Sequence, residues 1–295
     1  MWNFLSAYAI LLVKGRHLMS KDKKYLLPKV DLIFKLLFGD ERNREILKEF
    51  LLSVLRLPEE EYEEIIFVDP HLLPEYDSDK LGILDVKIKT KTGKILDIEI
   101  QVNPSDVMRE RIVFYISKMV TEQIGSGDDY EEIKKVISIL IADYELIDNS
   151  PKYHHRFTLY DIENKVEFTD LIEINTLELE KLPQVEDGTM LWNWLKFLSS
   201  ENEEDFEMVA EKNPQIKNAV ERLAEISSDE QTRRLYESRH KMEWDIRGRE
   251  RKAFKDAKIA TAKIMLSKGE SIEKIIEYTG LTLEEINKLQ KPTDK

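Results

Sequence analysis

The residues with the most chemical potential lie between Gly82 and Val102, in the run GILDVKIKTKTGKILDIEIQV. Strand side chains alternate between faces. Read as a hairpin, the first strand puts Leu84, Val86 and Ile88 on one face and Asp85, Lys87 and Lys89 on the other. In the second strand Leu96, Ile98, Ile100 and Val102 face the core, which leaves Asp97, Glu99 and Gln101 together on the opposite face. Lys91-Thr92-Gly93 suits a three-residue loop, a type I turn closed by a left-handed glycine. Thr90 then opposes Lys94, and the same register sets Lys87 against Asp97, Asp85 against Glu99 and Ile83 against Gln101. Directly opposed residues have Cβ atoms about 4.5–5.5 Å apart. Two carboxylates at that distance repel unless a cation or a proton lies between them, and all-oxygen ligands select a hard ion, Mg²⁺ or Mn²⁺. The same residues also fit a plainer account, acids on a solvated strand face with Lys87–Asp97 as a surface ion pair. The residues alone leave both accounts open.

The elements around the hairpin must position it. Pro28 opens an apolar-periodic stretch (Val30, Ile33, Phe34, Leu37, Phe38) that ends at Gly39, the start and stop of a helix. A second helix is expected over about 41–55, then a short strand at Ile65–Val68 stopped by Asp69-Pro70. Residues 105–124 have helical spacing, and Lys135–Ala142 contains a run too uniformly apolar for an exposed edge. The order α-α-β-β-β-α-β predicts a mixed sheet with helices against it. Short strands follow at Arg156–Tyr160 and Leu171–Asn175, and the pattern is helical from Met190 onward. It includes one long helix over 229–268 and a terminal pair within 271–290, whose second member opens on a Thr282/Glu285 capping box.

Composition narrows the chemistry. The 295 residues contain no cysteine, so disulfides, thiolate metal sites and cysteine nucleophiles are excluded. The formal net charge is −13, so contact with nucleic acid depends on a local basic patch rather than on bulk attraction. Residues 80–118 supply one, with eight Lys or Arg against five Asp or Glu. The apolar opening run, Met1–Val13, is shorter than the roughly 20 residues of a bilayer span and lacks a basic leader segment. Residues 1–18 are read as an upstream over-extension before Met19, with a short apolar helix as the alternative. The chain is expected to be cytoplasmic, without a membrane span.

Asp85, followed fourteen residues later by Glu99-x-Gln101, resembles the PD-(D/E)XK nuclease signature in the variant where Gln replaces the usual Lys. The wider series is similar to the Rpn family of recombination-promoting nucleases, the PD-(D/E)XK nuclease family transposases. It comprises Asp31-Leu-Ile-Phe-Lys35-Leu-Leu-Phe-Gly39, Ile83-Leu-Asp85, Ile98-Glu-Ile-Gln101, Arg111-x-x-x-Tyr115-x-x-Lys118, Gln123, and Gly127-Asp-Asp-Tyr130 leading into Val136-Ile-Ser-Ile139. The resemblance covers about residues 25–290. It implies a restriction-endonuclease-like α/β core at 19–185, a mixed sheet flanked by helices, followed by a mostly helical region at 186–295. It further implies that Asp85 and Glu99 bind Mg²⁺ or Mn²⁺, that Asp31 completes the metal shell and that Gln101 fills the lysine position. Arg111, Tyr115 and Gln123 become candidates for phosphate or structural contacts. Because Gln101 carries no charge, Lys87 or Lys118 is expected to offer the phosphate its positive partner.

The activity implied is metal-dependent endonucleolytic hydrolysis of DNA in recombination or mobile-element transactions. A second hypothesis is a catalytically weak nuclease fold that serves as a DNA-associated or protein-interaction module. Other signals read more plainly. Asp31 and Lys35 have the spacing of a helix ion pair, His154 and His155 point to opposite faces of a strand, and Trp192 and Trp194 suit packing. The terminal helix pair superficially resembles a helix-turn-helix, but Glu284 and Glu285 are poor groove chemistry. A helical interaction or homo-oligomerisation tail is favoured there over DNA reading.

Overall fold

The structure, a computed structural model, describes residues 24–72 and 82–290, so the opening segment 1–18 lies outside the described residues. The chain divides after Arg233 into two compact units.

The first unit is built on a six-stranded sheet. Two helices precede it, α1 (Asp31–Phe38) and α2 (Arg44–Val54). The strands are β1 (Ile65–Phe67), β4 (Val86–Thr90), β5 (Ile95–Gln101), β6 (Val136–Ala142), β7 (His154–Tyr160) and β8 (Glu167–Glu178). Their spatial order is β1-β4-β5-β6-β8-β7. β5, β6 and β8 run parallel and the other neighbours antiparallel. Two further strands, β2 (His71–Leu72) and β3 (Gly82–Ile83), pair only with each other. Helix α3 (Met108–Thr121) is the crossover between β5 and β6.

At the centre of the sheet both faces are covered, and β6 is buried along its whole length. On one face Ile112, Ile116 and Met119 of α3 pack over Leu84, Ile95, Val136 and Leu140. Elsewhere in the unit Phe38, Phe50 and Phe197 surround the fully buried Trp194, with ring centroids 5.9–6.0 Å from it. Trp194 belongs to α4 (Met190–Ser199), which is followed by α5 (Glu203–Lys212) and α6 (Pro214–Ser228). Trp192 is also buried and donates its indole N–H to the Pro183 carbonyl at 2.9 Å, so packing accounts for both tryptophans.

Helix α7 (Glu230–Ser267) runs across the division. The second unit closes with α8 (Ile272–Thr279) and α9 (Leu283–Gln290). Gly280, at φ +63°, ends α8 in the left-handed conformation that a side chain disfavours. Thr282 and Glu285 exchange the reciprocal bonds of a capping box, at 3.0 and 3.2 Å. Ile275, Leu281 and Ile286 form a small core with Ala262.

The hairpin itself is held from outside. Gly93 has φ +88° and its amide donates to the Thr90 carbonyl at 2.9 Å, as the type I turn plus glycine requires. Buried Glu61 accepts from Thr90 Oγ1 at 2.8 Å, from Thr92 Oγ1 at 2.7 Å and from the Lys94 ammonium. Burial alone would raise its carboxyl pKa, but the bonds from Lys94, Thr92 and Thr90 outweigh it and hold the group down at about 2. A carboxylate with a depressed folded pKa adds stability above its unfolded pKa and loses it as pH falls toward the folded value. Glu61→Gln is therefore expected to destabilise the protein by ~1–3 kcal/mol at pH 7. Urea titrations of both proteins should show this gap closing between about pH 4.5 and pH 2. A gap that stays constant with pH would contradict the clamp.

Candidate active site

The β4–β5 ladder holds the predicted register from Lys89↔Ile95 through Lys87↔Asp97, then stops at Val86↔Ile98. Beyond it the chain departs from expectation. Ile83 does not oppose Gln101; it pairs with His71 in the small β2–β3 sheet. The Leu84 amide is drawn to the Pro70 carbonyl at 3.0 Å. Leu84 consequently packs under α3, whereas Val86 lies 3.4 Å from where a Cβ on Gly39, the residue ending α1, would stand. The expected shared face for Leu84 and Val86 is thus broken at Asp85, because the backbone turns out of the ladder there.

That turn defines the site. Alternate residues of an antiparallel strand turn their hydrogen-bonding groups toward one neighbour; the Thr90 amide donates to the Lys94 carbonyl while the Lys87 carbonyl turns the other way to the Val68 amide, so the Ile100 amide would ordinarily find the Leu84 carbonyl. It donates instead to Asp85 Oδ2 at 2.9 Å. In return the Asp85 amide donates to Glu99 Oε1 at 3.2 Å. The two acids are locked together by each other's backbone neighbourhood, not as direct ladder partners. Lys35 Nζ stands 2.9 Å from Asp85 Oδ1. Glu99 Oε2 takes weaker contacts, from the Gln101 side-chain amide at 3.4 Å and Arg111 Nη2 at 3.5 Å.

Glu99 and Gln101 lie at the carboxyl end of β5, where two parallel strands begin their neighbouring loops, a usual place for ligand sites in α/β sheets. The side chains of Asp85 and Glu99 are 8% and 4% exposed. Asp97 is equally buried and receives Ser138 Oγ at 3.1 Å on Oδ2, while its Oδ1 has no hydrogen-bond partner. Burial pushes the carboxyl pKa values of Asp97 and Glu99 far above their ordinary range, and the Asp85 carboxylate adds to the rise in both. Asp85, Asp97 and Glu99 crowd three carboxyl groups together, with Lys35 on Asp85, Arg111 on Glu99 and Lys87 acting on Asp97 as the facing cations. The pocket's donor set is all oxygen, and an unpartnered buried oxygen adjoins it, which fits a hard divalent ion held by Asp85 and Glu99.

The other predicted residues are distributed around this pair. Asp31 sits in the first turn of α1, where Oδ1 accepts the Leu32 amide at 2.6 Å. Among the described residues no three acids or histidines gather closely enough to hold a metal ion, so the three-carboxylate shell expected with Asp31 is not formed. Lys87 is buried with its ammonium 3.2 Å from Glu122, which removes it from the role of phosphate partner and from a surface pair with Asp97. Gln123 is structural. Its side chain donates to the Met119 and Lys134 carbonyls at 3.2 and 3.1 Å and accepts the Lys134 amide at 2.8 Å, fastening the end of α3 to the approach to β6. Arg111, Tyr115 and Lys118 continue along one face of α3, with the Arg111 guanidinium 5.4 Å from the Tyr115 ring centroid. His154 and His155 bond separately to Asn175 and Ser150.

Two participants were not singled out from sequence. Lys35 matched the helix-pair spacing with Asp31, and only the fold carries it to Asp85. Asp97 looked solvated because alternation marks a face as non-core without saying that a helix will cover it.

The raised carboxyl groups make a stability prediction. A carboxyl whose folded pKa exceeds its unfolded value binds more protons when folded, so stability falls as pH rises between the two values. With a chelator present, the denaturation midpoint should fall from about pH 4 upward, and Asp97→Asn should flatten that slope by roughly 1 kcal/mol per pH unit. Parallel profiles for the two proteins would contradict the burial of an uncompensated acid at this position.

No curated protein and no solved structure is significantly similar to this chain. A family model, described as PD-(D/E)XK nuclease family transposase, matches residues 28–253. That span contains the whole sheet, its helices and the Asp85–Glu99 pair, and its match agrees with the Rpn resemblance of the motif series. By this match over most of its length, the chain belongs to the PD-(D/E)XK nuclease family transposases.

Proposed function

We propose that this protein is a divalent-metal-dependent endonuclease that hydrolyses DNA phosphodiester bonds in recombination or mobile-element transactions. The observation that carries the reading is the buried, mutually locked pair Asp85–Glu99 at the carboxyl end of β5. Asp85 and Glu99 would hold Mg²⁺ or Mn²⁺, which supplies Lewis acidity toward the scissile phosphate and neutralises charge in the transition state. The chain's own residues do the rest. The Ile100 amide fixes the Asp85 carboxylate, and the Asp85 amide fixes Glu99. Gln101, uncharged, steadies Glu99 and orients the attacking water by its amide. Arg111, held over Tyr115 and 37% exposed, can meet a phosphate oxygen from the α3 side. Water oxygen bonds to phosphorus, the bond from phosphorus to the leaving sugar oxygen breaks, the water's proton passes to solvent, and the leaving oxygen takes a proton from solvent to become the sugar hydroxyl.

The basic island at 80–118 supports backbone contact without base readout. A homo-oligomer formed through the helical region would let two such sites act on opposite strands. No helix among the described residues is long and apolar enough to cross a membrane. The lack, among the described residues, of a third carboxylate gathered with the pair, together with the buried Lys87, favours the second reading, a weakly catalytic DNA-associated module.

Supercoiled plasmid separates the two. The first reading expects nicking that requires Mg²⁺ or Mn²⁺ and stops with EDTA. Asp85→Ala and Glu99→Ala should each cost at least the ~10–100-fold that loss of an outer ligand-supporting group costs in metal enzymes. Wild-type protein that cuts no faster than either variant would overturn the nuclease reading in favour of the module.

A further inference from the structure

We propose that Lys35, carried to the site by α1, is its phosphate-facing cation and supplies the positive charge that Gln101 cannot. The inference rests on the metal-dependent nuclease reading and adds a residue to it. Lys35 Nζ lies 2.9 Å from Asp85 Oδ1 and the side chain is 36% exposed. An ammonium has three donors, so a bond to Asp85 leaves it able to meet a phosphate oxygen arriving from solvent. Two other lysines are committed. Lys87 is buried against Glu122, and Lys29 bridges Asp143 and Glu201 at 2.9 Å each. Arg111 serves the Glu99 side of the pair and Lys35 the Asp85 side, so the two cations flank the carboxylates.

The placement follows from the local fold. Gly39 ends α1 where a Cβ would stand 2.8 Å from the Lys35 carbonyl oxygen and 3.4 Å from Val86 Cγ2. This close approach sets the last turn of the helix, and Lys35 with it, against the residue that follows Asp85. The cation therefore comes from a separate element, which leaves position 101 free to be a neutral amide.

The charge also bears on the ion. Lys35 and a divalent cation compete for the Asp85 carboxylate, so removing the ammonium should strengthen ion binding while weakening cleavage. A residue that merely held Asp85 in place would lose both. The test compares wild type, Lys35→Met, Lys35→Arg and the double variant Lys35→Met/Gln101→Lys. Two readouts are taken, Mn²⁺ affinity by calorimetry without DNA and single-turnover cleavage of plasmid. Lys35→Met is expected to bind Mn²⁺ several-fold more tightly and to cleave ~10²–10³-fold more slowly, the scale for losing one transition-state charge partner. Lys35→Arg should keep part of the rate, and the double variant should regain part of what Lys35→Met loses.

Cleavage by Lys35→Met at the wild-type rate would overturn the proposal. So would equal or weaker Mn²⁺ binding by that variant, or no recovery in the double variant. If wild type cleaves nothing, the nuclease reading fails by itself, and calorimetry still decides whether the Lys35 charge opposes an ion at Asp85.

Discussion

The site depends on one backbone event, the departure of the chain from the β4–β5 ladder at Asp85. Had the ladder continued, the Ile100 amide would have been satisfied by a carbonyl and the Asp85 carboxylate would have projected as an ordinary strand side chain. With the Leu84 amide held by the Pro70 carbonyl, the ladder amide is left to the Asp85 carboxylate. A buried amide without a partner is costly, so the exchange fixes the carboxylate in position without any ligand present. The same turn sends the Asp85 amide to Glu99 and places Leu84 beneath α3. Pairing, packing and the candidate chemistry thus share a single cause.

Charge balance is the second constraint. Asp85, Asp97 and Glu99 lie in a region where water contributes little, and carboxylates so placed either keep protons or recruit cations. Lys35 and Arg111 contribute from two different helices, and the Ser138 hydroxyl contributes from β6. The neighbouring Lys87 is spent on Glu122. A site of this kind is under-compensated in isolation, and a divalent ion is the chemistry that would complete it. The acidic chain as a whole does not oppose this, because affinity for a phosphate backbone is decided locally.

Much of this was legible in the sequence. The loop Lys91-Thr92-Gly93 specified its turn, and with it a register that is observed from Lys89 to Val86. The run at Val136–Ala142, apolar but for Ser138, identified a strand covered on both faces. The terminal capping box was equally readable, because caps are local devices. What could not be read depended on distant partners. The ladder ends at Asp85 because Pro70 and the β2–β3 pair intervene, and nothing within the hairpin signals them. Gln123 was read as making either a phosphate or a structural contact, and only the fold supplies its three bonds to the backbone around Met119 and Lys134, a fastening role. Lys35 was visible as half of a helix pair, while its approach to Asp85 required α1 to close on the sheet.

An ion held by Asp85 and Glu99 can be located without reference to cleavage of DNA. Fe²⁺ substituted for Mg²⁺, with ascorbate and peroxide, generates hydroxyl radicals that cut the polypeptide beside the bound ion, and mass spectrometry maps the cuts. The account predicts scission confined to the segments around residues 84–86 and 98–101, suppressed by excess Mg²⁺ and absent in Asp85→Ala. Scission elsewhere in the chain, or an unchanged pattern in that variant, would contradict it.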